Sequence, residues 1–194
     1  MNEIIQIIKD GGVVIMPTDT IYGIIADATN ELAIKRVYEL KKRDSKKPML
    51  MLINGVDMLE KYTCCINDIE RQLIDKFWPG PLTIIFKKKG IGDLLTGGLE
   101  TIGVRFPKNE LLIDIMNEIN VPLLSTSVNI SGESSVYDVN QLSDEIKRNV
   151  DFIYDNGVCK GEASSIVKID EGNILVLREG SIKKEDICDV IKTD

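Results

Sequence analysis

The chain of 194 residues is 43% hydrophobic and 28% charged, with a net charge of −7 and no histidine. One globular domain over 1–194 with a substantial core is the natural expectation. The missing histidine excludes Ser-His-Asp and Cys-His catalysis and argues against a zinc centre. Any chemistry must use Lys, Arg, carboxylates, hydroxyls, backbone N–H groups or a metal ion. The opening MNEIIQIIKDGG has an acid at position 3 and no long apolar run, unlike a secretory signal. No stretch approaches the roughly 18 apolar residues of a membrane span. A cytoplasmic protein with no membrane contact is therefore expected. Cys64, Cys65, Cys159 and Cys188 lack CxxC spacing and read as reduced thiols.

Residues 2–10 carry Ile4, Ile5, Ile7 and Ile8 at helical spacing, and Gly11–Gly12 stops them. VVIM (13–16) predicts a buried strand ended by Pro17. Asn30 caps a predicted helix to about residue 42, with Ala33, Val37 and Leu40 on one face. MLMLI (49–53) reads as a continuous apolar strand. Asn67 with Glu70 makes a capping-box start to a helix ending near Trp78. LTIIF (82–86) and IGVR (102–105) read as strands, and Asn109 opens a helix with Leu112, Ile113 and Met116. Pro122 begins the strand PLLS, and 141–148 look helical. FIYD (152–155), SIVKI (165–169) and ILVLR (174–178) follow as strands, with a last helix over 184–191. Alternating helices and apolar strands predict an α/β domain on a mixed, partly parallel sheet. The polar stretch 130–140 is expected to be a mobile loop.

Five stretches could carry chemistry, each with a plainly structural alternative. PTDTIYG (17–23) leaves a strand, where ligands of open α/β sheets usually bind. It offers the Thr18 and Thr20 hydroxyls, the Tyr22 ring and close backbone approach at Gly23, or it is a polar turn. KKRDSKKP (41–48) gathers five basic side chains and one acid. It either complements a helix dipole or clamps phosphate, with Arg suited to forked contacts and Asp44 tethering a cation. With neither GxxxxGK[ST] nor GxGxxG, it is no P-loop or dinucleotide fold. WPGPLTIIFKKK (78–89) reads first as a rigid corner seating Trp78 in the core, with Lys87 to Lys89 basic or merely solubilising. TIGVRFP (101–107) ends a strand on Arg105, which must reach solvent or meet an anion. STSVNISGE (125–133) presents Ser125, Thr126, Ser127, Asn129 and Ser131 as a dense array of donors and acceptors, or as a hydroxyl-rich turn.

Together the blocks PTDTIYG, KKR followed by KP, WPGPLT, TIGVRFP, PLLSTSVNISG and LREG, in this order over about residues 10–180, resemble the YrdC/TsaC family of L-threonylcarbamoyladenylate synthases. The resemblance implies a twisted mixed parallel/antiparallel sheet with flanking helices and an open, positively lined cavity. It implies that ATP, L-threonine and bicarbonate yield threonylcarbamoyl-AMP and pyrophosphate, with Mg²⁺ carried by ATP rather than by protein ligands. The product would feed threonylcarbamoyl modification of tRNA beside the anticodon, through transient contact with a separate transferase complex. By motif position, Lys41 and Arg43 would contact phosphates and act in catalysis, with Lys47 a further candidate. Thr18, Thr20, Tyr22, Arg105 and Ser125 would form the threonine pocket, Arg105 on the carboxylate. Thr101, Ser127, Asn129, Ser135 and Arg178 would serve the nucleotide.

Two positions depart from the family pattern: Asp44 stands where many members have Pro, and Glu179 replaces Pro in the commoner Arg-Pro-Gly ending. The chain is expected to be the short form, without the C-terminal domain of longer members. Two rival readings are an RNA-binding module on tRNA or double-stranded RNA without synthase activity, with steeply salt-dependent binding, and a sister-group carbamoyl-processing enzyme. Net charge −7 weighs against the first. The Lys-x-Arg pair and the Ser-x-Asn triplet, which the sister group tends to lack, weigh against the second.

Overall fold

The computed structural model describes residues 1–130 and 135–190. The elements in order are α1 (Asn2–Lys9), β1 (Val14–Pro17), β2 (Tyr22–Asp27), α2 (Glu31–Leu40), β3 (Leu50–Leu52), α3 (Val56–Tyr62), α4 (Asp68–Phe77), β4 (Leu82–Lys87), α5 (Asp93–Thr96) and β5 (Thr101–Arg105). They continue with α6 (Glu110–Ile119), β6 (Leu123–Ser127), a 3-10 turn (Val139–Gln141), α7 (Asp144–Asn149), β7 (Phe152–Ile153), β8 (Ser165–Asp170), β9 (Asn173–Arg178) and α8 (Lys184–Cys188). Among the described residues nine strands form one sheet in the order β7-β1-β2-β6-β3-β5-β4-β8-β9. Pairs β1/β7, β3/β5 and β4/β8 are parallel and the others antiparallel, so the sheet is mixed as expected. Among the described residues no helix is long and apolar enough to cross a membrane.

The helix starts follow their capping chemistry. Asn30 accepts from the Leu32 and Ala33 N–H groups, Asn109 accepts from Leu112, and Asn67 and Glu70 close a reciprocal capping box. Trp78 is half-buried at the corner after α4, and its Nε1 donates to the Leu82 carbonyl at 2.7 Å. Lys88 bonds Asp93 and Thr96, and Lys89 donates to the Glu60 carbonyl, so both serve the fold.

Three elements differ from the sequence reading. PTDTIYG is the tip of a hairpin whose second arm, β2, was not foreseen; Tyr22 already pairs with Pro17. Its run YGIIAD is almost wholly buried, with no polar alternation to mark it. The short helices α3 and α5 begin at Gly55 and Gly92 with no capping side chain, which removes their start signal. Residues 131–134, within the expected mobile loop, and residue 191, at the expected end of the last helix, lie outside the described residues.

The period-2 alternation of the central strands divides the core. Ile15, Ile24, Met51, Leu124 and Val104 face a cluster shared with Ala33, Val37, Leu59 and Leu73 of α2, α3 and α4. Val14, Met16, Ile25, Leu52 and Leu123 face the other side, beneath Ile4 and Ile8 of α1 and Leu112, Ile115 and Met116 of α6. On this second side the positions beyond the helices change character: Gly23, Ser125, Ser127, Thr83 and Gly103 occupy the matching register.

The capping box yields a prediction. Asn67→Ala should lower unfolding free energy by about 1 kcal/mol while Asn67→Ser keeps most of it, measured as urea midpoints.

Candidate active site

The uncovered part of the sheet forms the floor of a cavity of about 270 Å³. Two glycines keep that floor low. A Cβ at Gly23 would lie 3.2 Å from both the Thr18 methyl and the Ser125 hydroxyl, and one at Gly103 would lie 3.3 Å from Thr83 and Ile85.

Part of the cavity lining is a chain of hydroxyls ending on a guanidinium. Thr18 Oγ1 donates to the Ile21 carbonyl at 2.8 Å, so the 2.9 Å bond between Thr18 and Thr20 is donated by Thr20. Thr20 Oγ1 in turn accepts from Arg105 Nη1 at 3.1 Å. Arg105 is 2% exposed, and its Nη2 lies 3.2 Å from Asp19 Oδ1. Burial pulls the guanidinium below its ordinary range; Asp19 opposes this and Arg178 adds to it. Arg105 thus meets an anion inside the protein, Asp19, which the sequence reading passed over. Ser125 joins this wall, 4% exposed.

Arg43, Arg178, Ser127 and Ser135 also line the cavity. Arg43 Nη2 donates to the Pro48 carbonyl at 2.9 Å, which folds the basic loop back on itself. Arg178 clamps Ser164 with Nε on its carbonyl at 3.0 Å and Nη2 on its hydroxyl at 3.1 Å. The Ser164 hydroxyl lies 2.9 Å from that of Thr83. Burial also pulls Arg178 downward. Thr83 sits inside the WPGPLT block, but Ser164 carries no motif and could not have been found from sequence.

Four expected residues stand away from the cavity wall. Lys41 is 1% exposed and does not line it; its Nζ donates to the Ser127 carbonyl and to Asn129. Burial first, and Arg43 second, lower this amine to about 7, against the pull of its oxygen acceptors toward the charged form. Asn129 lies with Lys41 behind the wall. Lys47 is exposed, and it is its carbonyl that is used, accepting from Tyr38 and Arg43. Thr101 shares the face of β5 with Gly103 and Arg105 but lies past the cavity's edge. Tyr22 contributes to the wall while its phenol is spent on the segment 155–157. It donates to the Gly157 carbonyl at 2.8 Å and accepts from Asn156 N–H at 3.0 Å, and burial raises its pKa. Ser131 lies outside the described residues.

A mixed sheet with part of one face left open under hydroxyls and three guanidinium groups defines an α/β domain with a cavity chemically suited to a polar anionic small molecule. The Sua5/YciO/YrdC family model, described as telomere recombination, matches residues 6–180. A Methanocaldococcus jannaschii relative is 42% identical over 177 residues, 90% of this chain and 83% of the relative. The threonylcarbamoyl-AMP synthase of Pyrococcus abyssi is 32% identical over 186 residues, 95% of this chain and 55% of that protein. The crystal structure of P. abyssi Sua5 complexed with L-threonine superposes with a TM-score of 0.92 at 31% identity, over 97% of this chain and 56% of that one. Escherichia coli YciO, 23% identical with a TM-score of 0.86, shares the fold. The chain belongs to the Sua5/YciO/YrdC family; it spans about half the length of its P. abyssi relative.

The lowered Lys41 pKa has a stability consequence. Between about 7 in the folded protein and the ordinary 10.5, the unfolded chain binds one more proton, so stability rises with pH in that window. Below it both states are charged and the burial cost is fully present. The slope is roughly 1.4 kcal/mol per pH unit. Lys41→Met should remove this rise, as urea titrations of both proteins at pH 6.5 and 9 would reveal; equal pH slopes would count against it.

Proposed function

We propose that the chain synthesises L-threonylcarbamoyl-AMP from L-threonine, bicarbonate and ATP. The observation that carries this is one cavity whose lining joins the hydroxyls of Thr18, Thr20 and Ser125 to three guanidinium groups, Arg105, Arg43 and Arg178. Support comes from the named activity of the P. abyssi relative and from the threonine complex of that protein.

The reaction forms a carbamate from the threonine amine and bicarbonate, with loss of water. A carbamate oxygen then attacks the α-phosphorus of ATP, and pyrophosphate leaves. Both partners are anions, so positioning and charge neutralisation matter more than a strong base. Arg105, Thr18, Thr20 and Ser125 are proposed to hold threonine, with Tyr22 shaping the pocket from beneath. Arg43 and Arg178 are proposed to face the phosphates, since guanidinium stays charged where burial would neutralise an amine. Ser127 and Ser135 complete the nucleotide side. The described lining carries no carboxylate, and the described residues hold no cluster of three metal-binding side chains. Mg²⁺ is therefore proposed to enter on the triphosphate, where it would neutralise phosphate charge.

The proposal places the protein in the cytoplasm as one domain, handing its labile adenylate to a transferase that acts on tRNA. Purified protein with ATP, Mg²⁺, L-threonine and bicarbonate should release pyrophosphate and threonylcarbamoyl-AMP, detected by mass spectrometry, only when both threonine and bicarbonate are present. Arg43→Ala should lower turnover by about 10²-fold, the scale for losing one charge-stabilising donor. ATP binding without product would favour a sister carbamoyl-processing enzyme. Salt-dependent RNA binding without ATP binding would favour the RNA module.

A further inference from the structure

The loop leaving β6 is held from behind by one side chain. Lys41 is the C-cap of α2. The next residue, Lys42, takes a left-handed φ of 48°, and the two side chains part. Lys42 goes outward to Glu145 at 2.8 Å, while Lys41 turns inward and is 1% exposed. Its Nζ donates to the Ser127 carbonyl, to the Asn129 carbonyl at 2.9 Å and to Asn129 Oδ1 at 2.9 Å. An ammonium has three hydrogens and no lone pair. All three are engaged on this segment, and none faces the cavity.

The same contact fixes the chemistry of Ser127. Because the lysine only donates, the Asn129 atom beside it must be the amide oxygen. Ser127 Oγ lies 2.6 Å from that oxygen and so donates its single proton there. Ser127 lines the cavity, and toward it Oγ has only lone pairs left. Lone pairs repel phosphate oxygens and accept O–H or N–H groups.

We propose that Lys41 is a positioning residue rather than a phosphate ligand: it pins segment 127–129 and makes Ser127 an acceptor for a hydrogen-bond donor of the nucleoside, a ribose hydroxyl or the base amino group. Arg43, two residues on and lining the cavity, makes the phosphate contact of this motif. The Ser127 half rests on the nucleotide reading above; the pin does not.

Three measurements at pH 6.5 test this. In the wild-type protein without ligand, acetic anhydride, which attacks only neutral amines, should label Lys47 at least tenfold faster than Lys41 once each rate is divided by the neutral fraction of its amine. The division is needed because Lys41 is lowered to about 7. Equal corrected rates would overturn the pin. In unliganded Lys41→Met, amide exchange over 127–130 should speed up at least tenfold; unchanged exchange would also overturn it. Calorimetry with adenosine, AMP and ATP should then show Lys41→Met weakening all three by one common factor, about tenfold, the loss of one to two hydrogen bonds' worth of order. Arg43→Met should instead cost more with each added phosphate. A Lys41→Met loss confined to ATP would restore the phosphate-ligand role. Should Lys41→Met not fold, the labelling result on the wild type still decides the pin. With Ser127→Ala, the penalty should vanish for the one analogue lacking the donor, among 2′-deoxyadenosine, 3′-deoxyadenosine and purine riboside. A penalty persisting with all three would overturn the acceptor role. Failure of the wild-type protein to bind any nucleoside would remove the nucleotide reading and the Ser127 half, leaving labelling and exchange to judge the pin alone.

Discussion

Arg105 carries a positive charge at the end of a central strand with 2% of its surface exposed, and leaving such a charge unpaired costs several kcal/mol. Asp19 answers it from the turn between β1 and β2, although β6 and β3 lie between those strands and β5 in the sheet. That turn is tied further by Lys108 N–H on Asp19 Oδ2 at 3.2 Å and by Asn109 Nδ2 on the Pro17 carbonyl at 3.3 Å. The hydroxyls of Thr18 and Thr20 therefore have settled orientations before any ligand arrives. Buried pairs of this kind contribute less to net stability than to specifying one arrangement. Here the arrangement specified is a wall of the cavity.

The electrostatics of the cavity run against those of the chain. Net charge is −7, yet the described lining holds three arginines and no carboxylate. Arg178 presses on Arg105, and burial disfavours both charges. An anion between them would relieve both costs, which is preorganisation for an anionic ligand rather than for a neutral one. The choice of side chain fits the position. Guanidinium groups, which resist neutralisation, face the cavity, whereas the buried lysine sits behind its wall with a pKa of about 7.

Much of this was legible in the sequence because it depends on local rules. Asn30, Asn67 with Glu70, and Asn109 announced their helices through capping, and the apolar runs announced strands. β2 was hidden because a strand buried on both faces has no alternation, and the chemistry of PTDTIYG drew attention to the turn. Thr18, Thr20, Ser125 and Ser127 were visible as hydroxyls leaving strands, and the structure brings them to one cavity. Asp19 was not singled out, since its value comes from a guanidinium 86 positions away in the chain. Lys41 and Arg43 looked equivalent in KKR. What separates them is one left-handed residue, Lys42, and a burial that no local pattern encodes.

The deeper constraint is the sheet itself. A nine-stranded sheet offers two faces, and the helices α2, α3 and α4 pack on one while α1 and α6 cover only part of the other. An apolar face left bare in the centre of a sheet would be an aggregation hazard. The strands avoid it by switching, at the same register, from Val, Ile and Leu to Gly, Ser and Thr where the helices stop. That switch can be read along single strands: on this face β6 runs from buried Leu123 to Ser125 and Ser127, and β2 from buried Ile25 to Gly23. Hydroxyls there must find partners among themselves or in a ligand. Thr83 and Ser164 are satisfied by each other, and Ser127 by Asn129. Each such internal bond also decides which lone pairs and protons remain for a ligand, so the packing of an uncovered sheet face and the recognition chemistry of the cavity are one problem with one solution.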